Sequence, residues 1–128
     1  MARVARLATA DSRAVPHVVP IVFAVDGDTI YTAVDDKPKV SRALRRLANI
    51  TANPRVAVLV DHYTEDWGTL WWARADGRAR IVPGTETEAQ HALDRLAERY
   101  PQYRSRRPAG PVVIIDVERW SAWSVSGS

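Results

Sequence analysis

The sequence predicts a mostly β protein of α+β type: an antiparallel barrel of six or seven short strands with two short helices, in one domain spanning residues 1–128. Three observations carry that expectation. Short apolar, β-branched segments recur at close spacing between turn residues, the pattern of hairpins and not of strand–helix–strand crossovers. Two dipeptides, Asp26-Gly27 and Asp76-Gly77, lie between such segments and read as tight turns. Helical period appears in two stretches, one from Lys39 and one after Thr85. So many short strands in so short a chain favour closure into a barrel.

"RVARLAT" and "PHVVPIVFAV" read as strands joined by the polar "ADSRAVP". Pro20 removes a ladder donor, so the second strand is expected at an edge or a bulge. "VDGDTIYTAV" completes a hairpin about Asp26-Gly27. At 100° per residue, Val40, Ala43, Leu44 and Leu47 share one helix face, and Lys39, Arg42, Arg45, Arg46 and Asn49 the opposite one. Ala52-Asn53-Pro54 ends that helix, and "RVAVLVDHY" resumes a strand of buried type. "TLWWARADGRARIV" reads as a second hairpin turning at Asp76-Gly77. "PGTETEAQHALDRLAERYP" is a helix with Thr85 as N-cap, Glu88 at capping-box distance and Pro101 as its end. "PVVIIDVERWSAWSV" supplies one or two last strands.

Composition narrows the function. The chain is 46% apolar and 26% charged, which excludes a disordered tail. It has no cysteine, and its three histidines (His17, His62, His91) have no ligand spacing, so no metal site is expected. No apolar run approaches the ~20 residues of a membrane span, and "MARVARLATADS" lacks the apolar region of a signal peptide, so a cytoplasmic protein is expected. "DHYTED" (Asp61 to Asp66) could chelate a cation through its oxygens and His62, but a solvated loop after a strand is the favoured reading. There is no G-x-G-x-x-G, P-loop or G-x-S-x-G. Without a nucleophile from the protein, the hard chemistry of an enzyme would fall to a cofactor.

The net charge of +3 is unevenly placed, with basic clusters at 37–46 and at Arg104, Arg106 and Arg107, which points to a local anionic partner. The helix stripe from Lys39 to Arg46 carries no acid, and Lys37-Pro38-Lys39 stands at its N-terminus, where free N–H groups and the helix dipole favour an anion such as phosphate. Five tryptophans fall in two regions; Trp71 and Trp72 are neighbours on a strand and point to opposite faces, so one is expected in the core and the other at a subunit interface or pocket wall.

The chain resembles the split β-barrel flavin-binding superfamily of pyridoxamine 5'-phosphate oxidases, and within it the actinobacterial F(420)-dependent branch, which uses a deazaflavin. The resemblance rests on "VARLAT…PHVVPIVFAVDGDTIY" with a "G-x-PH-V-P"-like start at residues 13–17, on "KPKVSRALRRLANITANPRVAVLVD", and on "WWARADGRARIV". It spans residues 3–118. It implies an antiparallel FMN-binding type of split barrel, a homodimer with sites at the interface, and a hydride passed from reduced coenzyme F(420) to a conjugated small-molecule substrate. It implies cofactor binding by Lys37, Lys39, Arg42, Arg46 and Asn49, with Val19, Pro20 and Ile21 beside Val18 along the ring. FMN is the alternative cofactor. A non-catalytic coenzyme carrier and a nucleic-acid binder are the rival classes; the chain carries none of the aromatic-basic motifs of common RNA modules, so no nucleic-acid partner is expected.

Overall fold

A computed structural model describes residues 2–34 and 40–125, with side chains of the first helix described from Arg45 onward. Seven strands, β1 (Ala5–Ala10), β2 (Pro16–Ile21), β3 (Ala24–Asp26), β4 (Thr29–Ala33), β5 (Arg55–His62), β6 (Trp71–Val82) and β7 (Val112–Ser124), form one antiparallel sheet in the order β2-β1-β5-β6-β7-β4-β3. Helix α1 (Val40–Ala52) packs on β1 and β6, and α2 (Thr87–Arg99) on β3, β4 and β7; the short α3 (Pro101–Ser105) is a third helix beyond the two expected. Pro101 ends α2 as expected and opens α3 at a position where its missing N–H costs nothing.

Strands from both ends of the sheet meet in one core, where Leu7, Ile21, Phe23, Ile30, Val58, Val113 and Ile115 are buried together and Ile50 of α1 joins them. A second cluster lies under α2, where Leu93 and Leu96 pack with Tyr31, Val112 and Ile114. The architecture is the mostly β split barrel that the sequence predicts. Its split lies between the edge strands β2 and β3, which are separated only by Val22 and Phe23 yet sit at opposite ends of the sheet. "PHVVPIVFAV" is therefore two strands and not one. At the break, side chains replace ladder partners: Thr32 Oγ1 donates to Val22 O (2.8 Å), Phe23 N donates to Tyr100 Oη (3.1 Å), and Arg99 Nη1 donates to Phe23 O (2.6 Å). Pro20 lies on the edge strand β2, where a proline is tolerated.

The turn from β1 to β2 is built on Asp11, whose Oδ1 accepts from Arg13 N (2.8 Å) and Val15 N (3.0 Å). Between them Ala14 takes φ 63°, a left-handed conformation that its Cβ disfavours. Ala14 stands at the glycine of the "G-x-PH" pattern. Ala14→Gly is expected to stabilise the fold by about 1 kcal/mol, after the extra freedom of the unfolded chain is deducted, and to raise Tm by about 3 °C. Thermal unfolding of the two proteins measures it; an unchanged or lower Tm contradicts the strained turn.

The second expected hairpin is absent. "WWARADGRAR" runs through as a single strand, and its register against β7 shifts between Asp76 and Gly77, where β7 carries the extra residue Glu118. At the shift Val117 N turns to Asp28 O (2.8 Å) in the β3–β4 turn. The bulge is where this long strand pair bends. Asp26-Gly27 is a true turn, with Gly27 at φ 60°.

The capping box expected at Thr85 also does not form. Residues 83–86 make a turn closed by Glu86 N to Pro83 O (3.1 Å), and α2 begins after it with Glu86 as N-cap and no side-chain cap. Glu88 pairs with Arg80 of β6 in place of reaching back to the helix start.

Candidate functional site

Two places could receive a ligand: a polar seam under α1 and an apolar cleft on the outward face of the sheet. The seam follows from the way α1 is rotated. Asn49 and Ile50 are buried, Arg46 and Leu47 are half-buried, and Arg45 is exposed. Arg46 and Asn49 thus turn toward the sheet and do not lie on a solvent face opposite Leu47. The periodicity missed this because two polar residues occupy inward positions, where an apolar stripe is the usual signal. Of the other expected phosphate ligands, Lys37 and Lys39 lie outside the described residues, as does the Arg42 side chain.

Asn49 Nδ2 donates to Thr9 Oγ1 (3.1 Å), a buried hydrogen bond that ties α1 to β1. Thr9 pairs directly with His17 across β1–β2, so both side chains stand on the same face of the sheet. Arg46 precedes Asn49 by one helical turn. Two side-chain nitrogens, Arg46 Nε and His17 Nδ1, are shut away from solvent with no hydrogen-bond partner among the described residues. Burial lowers the pKa of Arg46, and the nearby Tyr103 phenol counteracts this in small part. A guanidinium removed from water and left partly unpaired is costly unless an anion or acceptor completes it. Arg46 therefore suits an anionic oxygen.

On β2 the side chains alternate. Val19 faces inward opposite Leu7, Ile21 is buried in the core opposite Ala5, and Val18 and Pro20 are exposed opposite Ala8 and Arg6. A ring lying along this strand would meet Val18 and Pro20 side chains on the outward face; Val19 and Ile21 can offer only backbone there.

The outward face carries a cleft of about 590 Å3 whose floor is Ala8, Ala57 and Leu59, with Trp72 and Trp123 paired across β6–β7 and Arg6 and Arg74 beside them. Val18 is 60% exposed and Trp123 46%, an apolar surface too continuous for a merely solvated face. Trp71 is exposed and stacks on His62 (centroids 6.3 Å apart), so neither Trp71 nor Trp72 is a core residue. The signal for this face was present in "RVAVLVDHY": in an antiparallel sheet, apolar residues on both faces of a strand mean that both faces are covered. Inward of it, a smaller apolar cavity of about 220 Å3 lies between Phe23, Ile30, Trp71 and Trp120.

Other charged features turn out to be structural. Arg104 donates to the carbonyls of Ala97 and Glu98 at the end of α2, and Arg107 pairs with Asp94 (2.9 Å), so two arginines of the second basic cluster are engaged by the chain's own groups. Asp66 of the acidic loop caps a single 3-10 turn at Trp67–Thr69 by accepting from Gly68 N. Among the described residues no group of histidines and carboxylates could hold a metal, and no helix is long and apolar enough to cross a membrane.

A family model described as pyridoxamine 5'-phosphate oxidase matches residues 1–124. No curated relative matches the chain. Among solved structures, a conserved hypothetical protein from Mycobacterium tuberculosis is 26% identical, with TM-score 0.68 over 96% of this chain and 78% of that one. An FAD-binding protein from Mesorhizobium loti is also 26% identical, with TM-score 0.64 over 94% and 85%. The heme storage protein HutZ from Vibrio cholerae shares the fold at TM-score 0.72 and 15% identity, over 95% of this chain and 85% of that one.

Proposed function

The chain belongs to the pyridoxamine 5'-phosphate oxidase family, and from that membership we propose an oxidoreductase that binds coenzyme F(420) and passes a hydride from the reduced deazaflavin to a conjugated organic substrate. Family and fold support a flavin-type coenzyme. The observation that carries the reading is Arg46, half-buried, turned toward the sheet and left with an unpaired nitrogen. It suits the phosphate that such coenzymes carry on their ribityl chain. When bound, the coenzyme supplies the hydride chemistry. The chain binds and orients it: Arg46 and Asn49, with Lys37, Lys39 and Arg42, hold the anionic end, while Pro20 faces the ring and Val19 and Ile21 offer it backbone groups. Pro20 has no N–H, so at that position the edge strand offers the ring an apolar surface and no competing donor.

The outward cleft is, in this reading, where a second copy of the chain docks, enclosing the ring and excluding water. Val18, Leu59, Trp72 and Trp123 supply the kind of aromatic and aliphatic centre that stable interfaces use. The chain is then a cytoplasmic homodimer without a nucleic-acid partner.

The family model and the relative described as FAD-binding favour a second reading, a flavin (FMN) in place of the deazaflavin. One experiment separates the readings. The protein is titrated with F(420), FMN and hemin in turn, following coenzyme fluorescence and absorbance, and its mass in solution is measured on the same sample. Saturable quenching of F(420) at micromolar concentrations and a dimer mass are expected. Tight FMN binding without F(420) binding transfers the function to the second reading. Binding of hemin alone, or of nothing, overturns both, and a monomer mass overturns the docked face.

A further inference from the structure

We propose that the open end of the barrel, apart from the seam and the outward cleft, is a binding site for a small uncharged aromatic molecule of one ring, seated between Phe23 and the indoles of Trp71 and Trp120. The site does not depend on which coenzyme the chain holds.

The place is the apolar cavity of about 220 Å3 on the inward side of the sheet. Phe23, Ile30 and Val58 form its floor and are buried in the core, whereas Trp71 and Trp120 stand at its rim and are exposed. Protein interiors leave few voids larger than a water molecule, because a large side chain nearby normally turns in to close them. Here both indoles are held elsewhere. The Trp71 ring stacks on His62 with the two planes 14° apart, and Trp120 Nε1 donates to Asp28 Oδ1 (2.9 Å) in the β3–β4 turn. The two rings therefore frame the cavity and do not fill it. Polar groups around the cavity are likewise engaged by the chain itself. Arg99 donates to Phe23 O and to Ala2 O, and the Arg74 guanidinium pairs with Asp76 (3.1 Å) on the outward face. What is left for a guest is methyl groups and ring faces, which take an apolar, uncharged molecule. Three aromatic rings around one small space favour a guest that is itself aromatic, since edge-to-face contacts then add to burial. An apolar cavity of roughly 150 Å3 is enough for benzene, so this one admits a single ring with a short substituent. It is too small for a coenzyme of three fused rings with a ribityl chain, which sets it apart from the coenzyme site.

The test titrates toluene and phenol, which exchange a methyl for a hydroxyl, into protein labelled with 13C at its methyl groups. The Ile30, Val58 and Val60 methyl resonances are expected to shift and saturate with toluene, while those of Val18 and Leu59 in the outward cleft stay in place. Phenol should bind at least about ten-fold more weakly, because its hydroxyl enters without a partner. At about ten times its Kd, toluene should raise Tm by about 5 °C. Val60→Phe puts a ring into the cavity and should abolish the toluene shifts at Ile30 and Val58; Val25→Phe does the same from β3 and replaces it if circular dichroism shows the first variant unfolded. Should neither variant fold, the map of shifted methyls in the wild type decides. Shifts confined to Val18 and Leu59 put toluene in the outward cleft and overturn the proposal. The proposal is equally overturned by an absence of shifts, by phenol binding as tightly as toluene, or by toluene shifts that survive in a folded filled variant. If the same methyls move with protein concentration and not with toluene, a second copy of the chain occupies the open end and the small-molecule site falls.

Discussion

Gly77→Ala is expected to lower folding stability by about 3 kcal/mol, and Gly77→Val to leave little folded protein. A Cβ at residue 77 would lie 2.3 Å from Asp116 O and 3.0 Å from the Val117 Cα. Both obstacles are backbone in the neighbouring strand, so no side-chain rotation relieves the clash. The close approach is a consequence of the bulge: with Glu118 left out of register, β7 folds inward over residue 77 and Val117 N is released to Asp28 O. An alanine must push β6 and β7 apart at the bend, and the Val117–Asp28 hydrogen bond is first to suffer. Gly27→Ala is the instructive comparison. Nothing lies within 4 Å of its Cβ, and its only cost is the positive φ, about 1 kcal/mol. Urea unfolding of both variants measures the difference. Equal midpoints for the two would show that the bend does not depend on this contact.

The same pair of glycines shows what the sequence could reveal. Asp26-Gly27 and Asp76-Gly77 are the same dipeptide between apolar runs, and local chemistry cannot tell a turn from a bulge. The difference is made by β7, forty residues later, whose length lets β6 continue through Gly77. The break between β2 and β3 was hidden for a related reason: Val22 and Phe23 are good strand residues, and what stops the ladder there is Tyr100 and Arg99, far along the chain. Strand identity, the edge position of Pro20 and the mostly β barrel were legible because alternation and turn residues act locally. The site was legible in residue type but not in orientation. Arg46 and Asn49 stood out as a basic and a polar position on a helix, yet which way they face is set by the Asn49–Thr9 bond, a tertiary contact with no sequence signature. His17 was visible as a histidine at the start of an apolar strand; only the pairing with Thr9 shows that it faces inward. The RSRR cluster carried the opposite lesson, since Arg104 and Arg107 serve the end and flank of α2.

Arg99→Ala is expected to cost about 3 kcal/mol, with Arg99→Lys recovering less than half of it. The Arg99 guanidinium holds the split of the barrel shut. Its Nη1 donates to Phe23 O and its Nη2 to Ala2 O, each at 2.6 Å, so one planar fork joins the β2–β3 break to the residues just before β1. Its face lies 4.7 Å from the Phe23 ring centre and 5.2 Å from that of Tyr100, which adds a cation–π contribution of about 1 kcal/mol. Alanine removes both donors and leaves two part-buried carbonyls to find water at the mouth of the core. Lysine retains the charge but is a point donor: it can reach one carbonyl and cannot lie flat between two rings. Tyr100 braces the same break from the other side, with its hydroxyl within hydrogen-bond distance of Phe23 N, Phe23 O and Arg3 O. The two braces share Phe23, so their losses should not add: a double variant of Arg99→Ala with Tyr100→Phe is expected to fall short of the sum by about 1 kcal/mol. Amide exchange at Val22 and Phe23 should quicken in Arg99→Ala before the rest of the sheet opens. Uniform exchange across β1 to β7 in that variant would show that the break has no separate stability of its own.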